Sequence, residues 1–511
     1  MPTIQVPMNR VEGDLEVKAE IEDGVVTRAW CTGTMYRGFE RLMIGRGPLD
    51  GLVITPRVCG ICTTSHLTAA VLALDEIAHA DVPPDAVRLR NVALMAEHSQ
   101  SDVRQATLMY AADFVNPAHR DLPLFEEAVR RFAAFQGTTV LDVVRETKKL
   151  LEIVAIVGGQ WPHSSFMVPG GIVSMPSESD LAQCRMILRN YSKWYERRLL
   201  GCSIDRFNAV RSLADLDAWL DEKKEHADSE LGFFIRYARQ LGLTDMGVGH
   251  GNFLSVGSLP IPEGSSVKGP GGNGYLVPAG FLREGTISPF DPMGIAEHVA
   301  RSWFVDYDGG RHPFEGVTLP YASGDEGVKY SWAKAPRYQG HPAETGPVAE
   351  LLIAGHPLIT DLVAAHGASA FARQLARMIR PAINMPAMDT WLQEATGDGD
   401  CYRSPGEVPD GDGAGMCHAG RGAVGHWVKI RDGAVASYQI ITPTAWNASP
   451  RDSADVPGPM EQALVGTRVK DLENPVELGH VVRSFDPCLV CTVHTLRGGR
   501  SAGQLRVGLG P

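Results

Sequence analysis

A chain of 511 residues, 44% hydrophobic and 21% charged, is long enough to bury an extensive core and has an ordinary globular composition. Its formal net charge of -12 argues against nucleic acid as a partner, because a phosphate-binding face is basic. No secretory signal opens the chain and no run approaches about 18 apolar residues, so neither self-directed export nor a transmembrane span is expected.

Taken in order, Leu15, Val17, Ala19 and Ile21 alternate with Glu16, Lys18 and Glu20, and Asp23-Gly24 supplies a tight turn before Val25. This pattern predicts a β-hairpin with one buried face. Ala86 to Val115 is free of proline and carries Leu89, Val92, Leu94 and Met95 at helical spacing. Leu124 to Val157 continues in the same manner. Pro176, Ser177 and Asp180 open another helix, expected to run to about Leu200 with Gly201 as its cap. Ser255 to Gly280 and Thr396 to Gly425 are rich in Gly and read as long loops. A second hairpin is expected from His426 to Ile441 around Asp432-Gly433. The fold class that follows is α+β, mainly α: a central bundle of long helices with small peripheral sheets.

Two copies of one motif stand at opposite ends: Cys59-Gly60-Ile61-Cys62 followed by His66, and Cys488-Leu489-Val490-Cys491 followed by His494. Four thiolates that far apart can meet only if the fold joins its ends, and a shared metal centre is the chemical reason for them to meet. By donor set alone, zinc or an iron–sulfur cluster is the prior. The separation of the pairs excludes a local zinc knuckle. The other five cysteines, Cys31, Cys184, Cys202, Cys401 and Cys417, are too few and scattered for a disulfide framework and read as small buried side chains.

With their flanks, Arg57 to His66 and Asp486 to His494 resemble the signature motifs of the large subunit of nickel–iron hydrogenases. Arg10-Val11-Glu12-Gly13, Tyr36-Arg37-Gly38-Phe39-Glu40, Gly425-His426-Trp427 and Pro443-Thr444-Ala445-Trp446-Asn447 resemble that family too, so the likeness covers essentially the whole chain. The resemblance implies the large-subunit fold over residues 1–494 as one catalytic domain. Residues 495–511 would be an extension removed by a maturation protease.

It also implies a site. Cys59 and Cys488 would be terminal ligands of nickel, and Cys62 and Cys491 would bridge to an iron carrying one carbon monoxide and two cyanides. Soft thiolates suit a soft redox metal. Cys488 would be the base and Glu12 the carboxylate that takes the proton onward. Arg421 and Thr444 would donate to the cyanides, with Asp486 holding Arg421 or its loop. His66 would orient the surroundings, and Glu40, Ile440 and His494 would hold Mg2+.

The implied activity is oxidation of H2 to protons and electrons, with the electrons passed to a small subunit holding iron–sulfur clusters. This chain has too few spare cysteines to hold such clusters itself. An oligomer of heterodimers in the cytoplasm, with any membrane attachment made through partners, completes the expectation. Two alternatives are a hydrogen-sensing regulatory hydrogenase and a non-enzymatic respiratory-complex-like subunit; the tail counts against the first and four retained cysteines against the second. The chain departs from the family pattern in two places. Gly420 stands where a proline usually precedes the arginine, and Ser99-Gln100-Ser101-Asp102 replaces a His-Asp-His run.

Overall fold

The structure, a computed structural model, describes residues 2–324 and 327–489. Strands β1 (Thr3–Met8), β2 (Leu15–Glu22) and β3 (Val25–Gly33) form an antiparallel meander. Leu15, Val17, Ala19 and Ile21 face inward, as their alternation predicts. Asp23 and Gly24 both adopt positive φ, 49° and 75°, the geometry a two-residue hairpin needs.

Long helices occupy the centre: α1 (Thr63–Ile77), α2 (Pro84–Arg104), α3 (Glu178–Tyr195), α4 (Ala370–Glu394) and the shorter α5 (Val476–Ser484). The predicted Ala86 to Val115 helix is α2 continued through a wide turn over Gln105–Tyr110 and a tight one over Ala111–Val115. Leu124 to Val157, expected as one helical stretch, is three helices: Phe125–Phe132, Thr138–Leu150 and Glu152–Gly158. At the first break the chain folds back so tightly that a Cβ on Gly137 would lie 2.3 Å from the Arg131 carbonyl oxygen. Ser177 caps α3 reciprocally with Asp180, and Gly201 closes its extension at φ 70°, both as predicted.

Helix α4 contains Pro381 and Pro386, which ordinarily break a helix. One of the two lost partners is replaced from outside the helix. Pro386 has no N–H for the Ala382 carbonyl, and Asn208 Nδ2 donates there instead at 3.3 Å.

Both stretches expected as loops contain strands. β4 (Phe253–Pro260) pairs with β5 (Tyr275–Arg283), so only the segment between them is loop. β6 (Gly411–Ala419), β7 (Gly422–Arg431) and β8 (Ala434–Ile441) form a second meander, of which only the β7–β8 hairpin was predicted. The glycines that disguised β6 are required by packing. A Cβ on Gly413 would lie 2.3 Å from the Ala73 carbonyl oxygen, and one on Gly415 1.9 Å from that of Ala69, because β6 lies directly on α1.

The largest core cluster includes Cys59, Cys62 and Cys488. A second cluster packs Leu15, Val17 and Ile21 against Val481, Val482, Phe485 and Leu489, fastening the two ends of the chain together. Each such side chain contributes roughly 1.5–3 kcal/mol on full burial. No single described helix is long and apolar enough to cross a membrane.

Candidate metal centre

The first cysteine pair is built on a helix start. A tight turn over Thr55–Arg57 leads to Cys59, and Cys62 is the residue that opens α1. The amides of Ile61 and Cys62 both point at Cys59 Sγ, 3.4 Å away, and favour its thiolate form. Arg37, from the Tyr36 to Glu40 motif, braces this turn by donating to the carbonyls of Val58 at 2.7 Å and Arg57 at 2.9 Å.

Cys488 arrives from the opposite end of the chain. Glu12 N–H donates to the Pro487 carbonyl at 3.3 Å and Leu489 N–H to the Glu12 carbonyl at 2.6 Å, a one-rung parallel ladder. Thr444 Oγ1 accepts from the Cys488 amide at 2.9 Å. Cys59 Sγ and Cys488 Sγ are 3.5 Å apart, and the three sulfurs of Cys59, Cys62 and Cys488 lie within 4.8 Å of one another, all buried. That spacing is far too long for a disulfide. It matches the roughly 3.8 Å edge that a tetrahedral site with metal–sulfur bonds of about 2.3 Å requires. Cys491 and His494 lie outside the described residues.

Arg421 is 6% exposed. Its Nε donates to the Asp486 carbonyl at 3.1 Å and lies 3.2 Å from Asp486 Oδ1, while Nη1 is buried with no partner. Burial alone would lower its pKa, but Asp486 and the thiolates of Cys488, Cys62 and Cys59 outweigh that and hold the guanidinium firmly protonated. A buried N–H left open beside three thiolates is a donor awaiting an acceptor. Thr444 spends its oxygen on the Cys488 backbone, so its first job is to place that cysteine.

Glu12 is half-buried. Burial raises its carboxyl pKa, with Cys59 and Asp486 adding to the effect and Arg421 opposing it. Arg10, two residues earlier, is anchored by Asp113 and by the Met109 carbonyl at 3.0 Å, and Arg483 donates to Asp113 at 2.6 Å. His66 is buried, its Nδ1 3.0 Å from His426 Nε2, and His426 Nδ1 lies 2.8 Å from the Tyr438 hydroxyl.

Glu40 is buried elsewhere, on a cavity of about 20 Å3 also lined by Glu297, Lys334, Ile440 and Thr442. It accepts from the Ile440 N–H at 3.0 Å, so the backbone group turned toward it is the amide and not the expected carbonyl. Lys334 lies 3.3 Å from Glu40 and 2.9 Å from Glu297. Two carboxylates against one ammonium leave a residual negative charge, which suits a hard cation.

Sequence reasoning missed two features. Arg380 on α4 forms a fork with Asp102 at 2.7 and 2.9 Å, pairs with Glu350 at 2.8 Å, and donates to the Gly420 carbonyl at 2.7 Å. A Cβ on Gly420 would meet the Ser101 side chain at 3.0–3.1 Å. The two departures from the family pattern are therefore in contact. Glu97 accepts from the amides of Thr64 at 2.7 Å and Ser65 at 3.1 Å, capping α1 from outside, and burial pushes its pKa up to about 7. A buried, polar α2 was the available signal for both.

The nickel-dependent hydrogenase family profile matches residues 37–121 and 138–494. The chain is 31% identical to the periplasmic [NiFeSe] hydrogenase large subunit of Desulfomicrobium baculatum, covering 96% of this chain and 94% of that one. It is 27% identical to the uptake hydrogenase large subunit of Rhodobacter capsulatus over the same shares. A reduced, active Ni-Fe-Se hydrogenase from Desulfomicrobium baculatum superposes with a TM-score of 0.82 at 28% identity, over 96% of this chain and all of that one. At Cys59, Cys62, Cys488 and Cys491, the four positions of the paired motifs, this sequence reads Cys.

Proposed function

Since the chain belongs to the nickel-dependent hydrogenases as a catalytic large subunit with a nickel–iron centre, we propose that it works in the uptake direction, oxidising H2 and passing electrons to an iron–sulfur small subunit. The observation that carries the site is the convergence of Cys59, Cys62 and Cys488 beside the open N–H of Arg421. In this reading Cys59, Cys62, Cys488 and Cys491 would hold the metal centre through their sulfurs. When bound, the centre supplies heterolytic cleavage of H2, with carbon monoxide and cyanides on its iron.

The chain's own residues handle the products. Cys488 Sγ holds the released proton, and Glu12, its ladder neighbour, takes it next; a carboxyl with a raised pKa exchanges protons closer to neutral pH than an ordinary one. Arg421, held by Asp486, would offer its spare N–H to a ligand of the iron. Thr444 and His66 keep the pocket in shape. Glu40 and His494 would hold Mg2+, with the Ile440 N–H steadying the Glu40 carboxylate, a reading supported by the residual charge of the Glu40 cavity.

Leu42, Ile44, Leu49 and Val53 are about half exposed and lie in the segment between the Glu40 motif and Cys59. Exposed apolar side chains on the segment that leads to Cys59 support docking of the small subunit there. Removal of residues 495–511 by a protease, assembly of heterodimers into a larger oligomer and a cytoplasmic location belong to the same reading and rest on the motif resemblance.

The test is purification of the chain with its small subunit, metal analysis, and infrared spectroscopy under H2. Nickel equimolar with this chain, iron in excess of nickel because the small subunit's clusters contribute, and carbon monoxide and cyanide bands that respond to H2 are expected. Zinc in place of nickel would overturn the reading.

A further inference from the structure

A cavity of about 410 Å3 opens beside α4 and has no part in the proposed function. Arg211 and Lys268 line it, together with Gly269 and Pro270 from the Gly-rich turn between β4 and β5 and with His356 and Pro357, where the helix Pro357–His366 begins. In a chain of net charge -12, this concavity is cationic. Neither Arg211 nor Lys268 makes an ion pair or a side-chain hydrogen bond among the described residues, and both are exposed, so they stand at its mouth. The one carboxylate in the lining, Glu350, is already taken: Arg380 Nη1 donates to its two oxygens at 2.8 and 2.9 Å.

The first amides of a helix lack partners inside it and its N-terminus carries partial positive charge, so the start of Pro357–His366 adds to the attraction for an anion. Burial and the charge of Arg211 both lower the pKa of His356, which puts the guanidinium near that helix start. Deeper in, Asn384 on α4 is 3% exposed, yet its side-chain amide makes no hydrogen bond among the described residues. A buried amide is costly unless something in the cavity completes it. Leu276, Val277, Leu351 and Ile383 supply an apolar wall.

We propose that this cavity binds a small organic phosphate, up to the size of a nucleoside monophosphate. The phosphate sits at the mouth among Arg211, Lys268 and the helix N-terminus, and the body lies inside, with a polar group on Asn384. A guanidinium fork and helix amides both suit phosphate oxygens. The volume lies within the usual range of ligand pockets. Arg380 lines the same cavity and donates to the Gly420 carbonyl at 2.7 Å, so the ligand lies one side chain away from the loop that carries Arg421.

The test is calorimetric titration of the intact complex with its small subunit, using adenosine 5′-monophosphate, inorganic phosphate and adenosine as separate probes. The nucleotide is expected to bind, and each of the other two to bind more weakly by about tenfold or more. Combining Arg211→Ala with Lys268→Ala should weaken nucleotide binding by about tenfold or more. The melting temperature should stay put, since both side chains are exposed and unpaired. Asn384→Leu, which keeps the volume and removes the amide, should weaken the nucleotide several-fold and leave inorganic phosphate unchanged; full nucleotide affinity in that variant would overturn the orientation. Absence of nucleotide binding, or binding untouched by the double variant, would refute the site. Equal affinity for nucleotide and inorganic phosphate would rule out an organic ligand in favour of a bare anion.

Discussion

The thiolate pocket and the Glu40 cavity are separated by one short helix, Pro443–Asn447, with Thr444 serving the first and Ala445 lining the second. They settle their charge by different means. In the pocket, three sulfurs face one arginine that keeps a free N–H, so compensation is left open for a ligand. In the cavity, Lys334 answers two carboxylates from within the chain. The pocket is thus built to be completed by a soft metal. The cavity stands partly completed, with room for little more than a water-sized guest.

Breaking the pocket should have the largest effect. Cys59→Ser is expected to reduce nickel content and H2 oxidation together to background, as measured by metal analysis and dye reduction. Glu12→Gln should separate the two: nickel retained, turnover down by about 10²–10⁴-fold, the usual scale of a lost proton-transfer group. Full activity in that variant would remove Glu12 from the path. On the other side of the comparison, Lys334→Met strands Glu40 and Glu297 without their ammonium. A loss of about 3–5 kcal/mol follows, read as a lower melting temperature. Added Mg2+ should recover part of it, and indifference to Mg2+ would argue that no cation binds there.

Glu97 sharpens the comparison through pH. Its folded pKa of about 7 stands above the reference of 4.5, so the fold favours the protonated acid. That contribution is fully present below about pH 4.5 and disappears as pH rises through about 7, amounting to about 3 kcal/mol. Denaturation midpoints of Glu97→Gln, compared with the parent at about pH 5 and about pH 8, should show a flatter pH dependence. The smallest effect is expected at Gly420→Ala, whose new methyl crowds Ser101. About 1 kcal/mol is lost, and Ser101→Gly should relieve it.

Much of this was legible in the sequence, for identifiable reasons. Hairpins announced themselves by alternation and by Asp23-Gly24 and Asp432-Gly433, and α3 by Ser177 and Asp180, because those signals act over a few residues. The motif cysteines marked a common site, and the described three do converge. Strand β6 was hidden because Gly413 and Gly415 are chosen for the backbone of α1 pressing on them, a constraint from residues far away in sequence. The contact of Ser101 with Gly420 was hidden likewise: each looked like a separate departure until α2 and β6 were seen side by side. Helix α4 concealed itself behind two prolines, and the carbonyl that Pro386 leaves open is served by Asn208 from outside the helix.

The single rung between Glu12 and Cys488 also imposes an order in time. A chain emerging from the ribosome presents Glu12, Cys59 and Cys62 well before Cys488, so the first cysteine pair can fold on its helix before its counterpart exists. Closing a loop of nearly the whole chain costs entropy that only late packing of α5 on the first sheet can offset. Until that packing forms, the pocket stays open on the side that Cys488 closes.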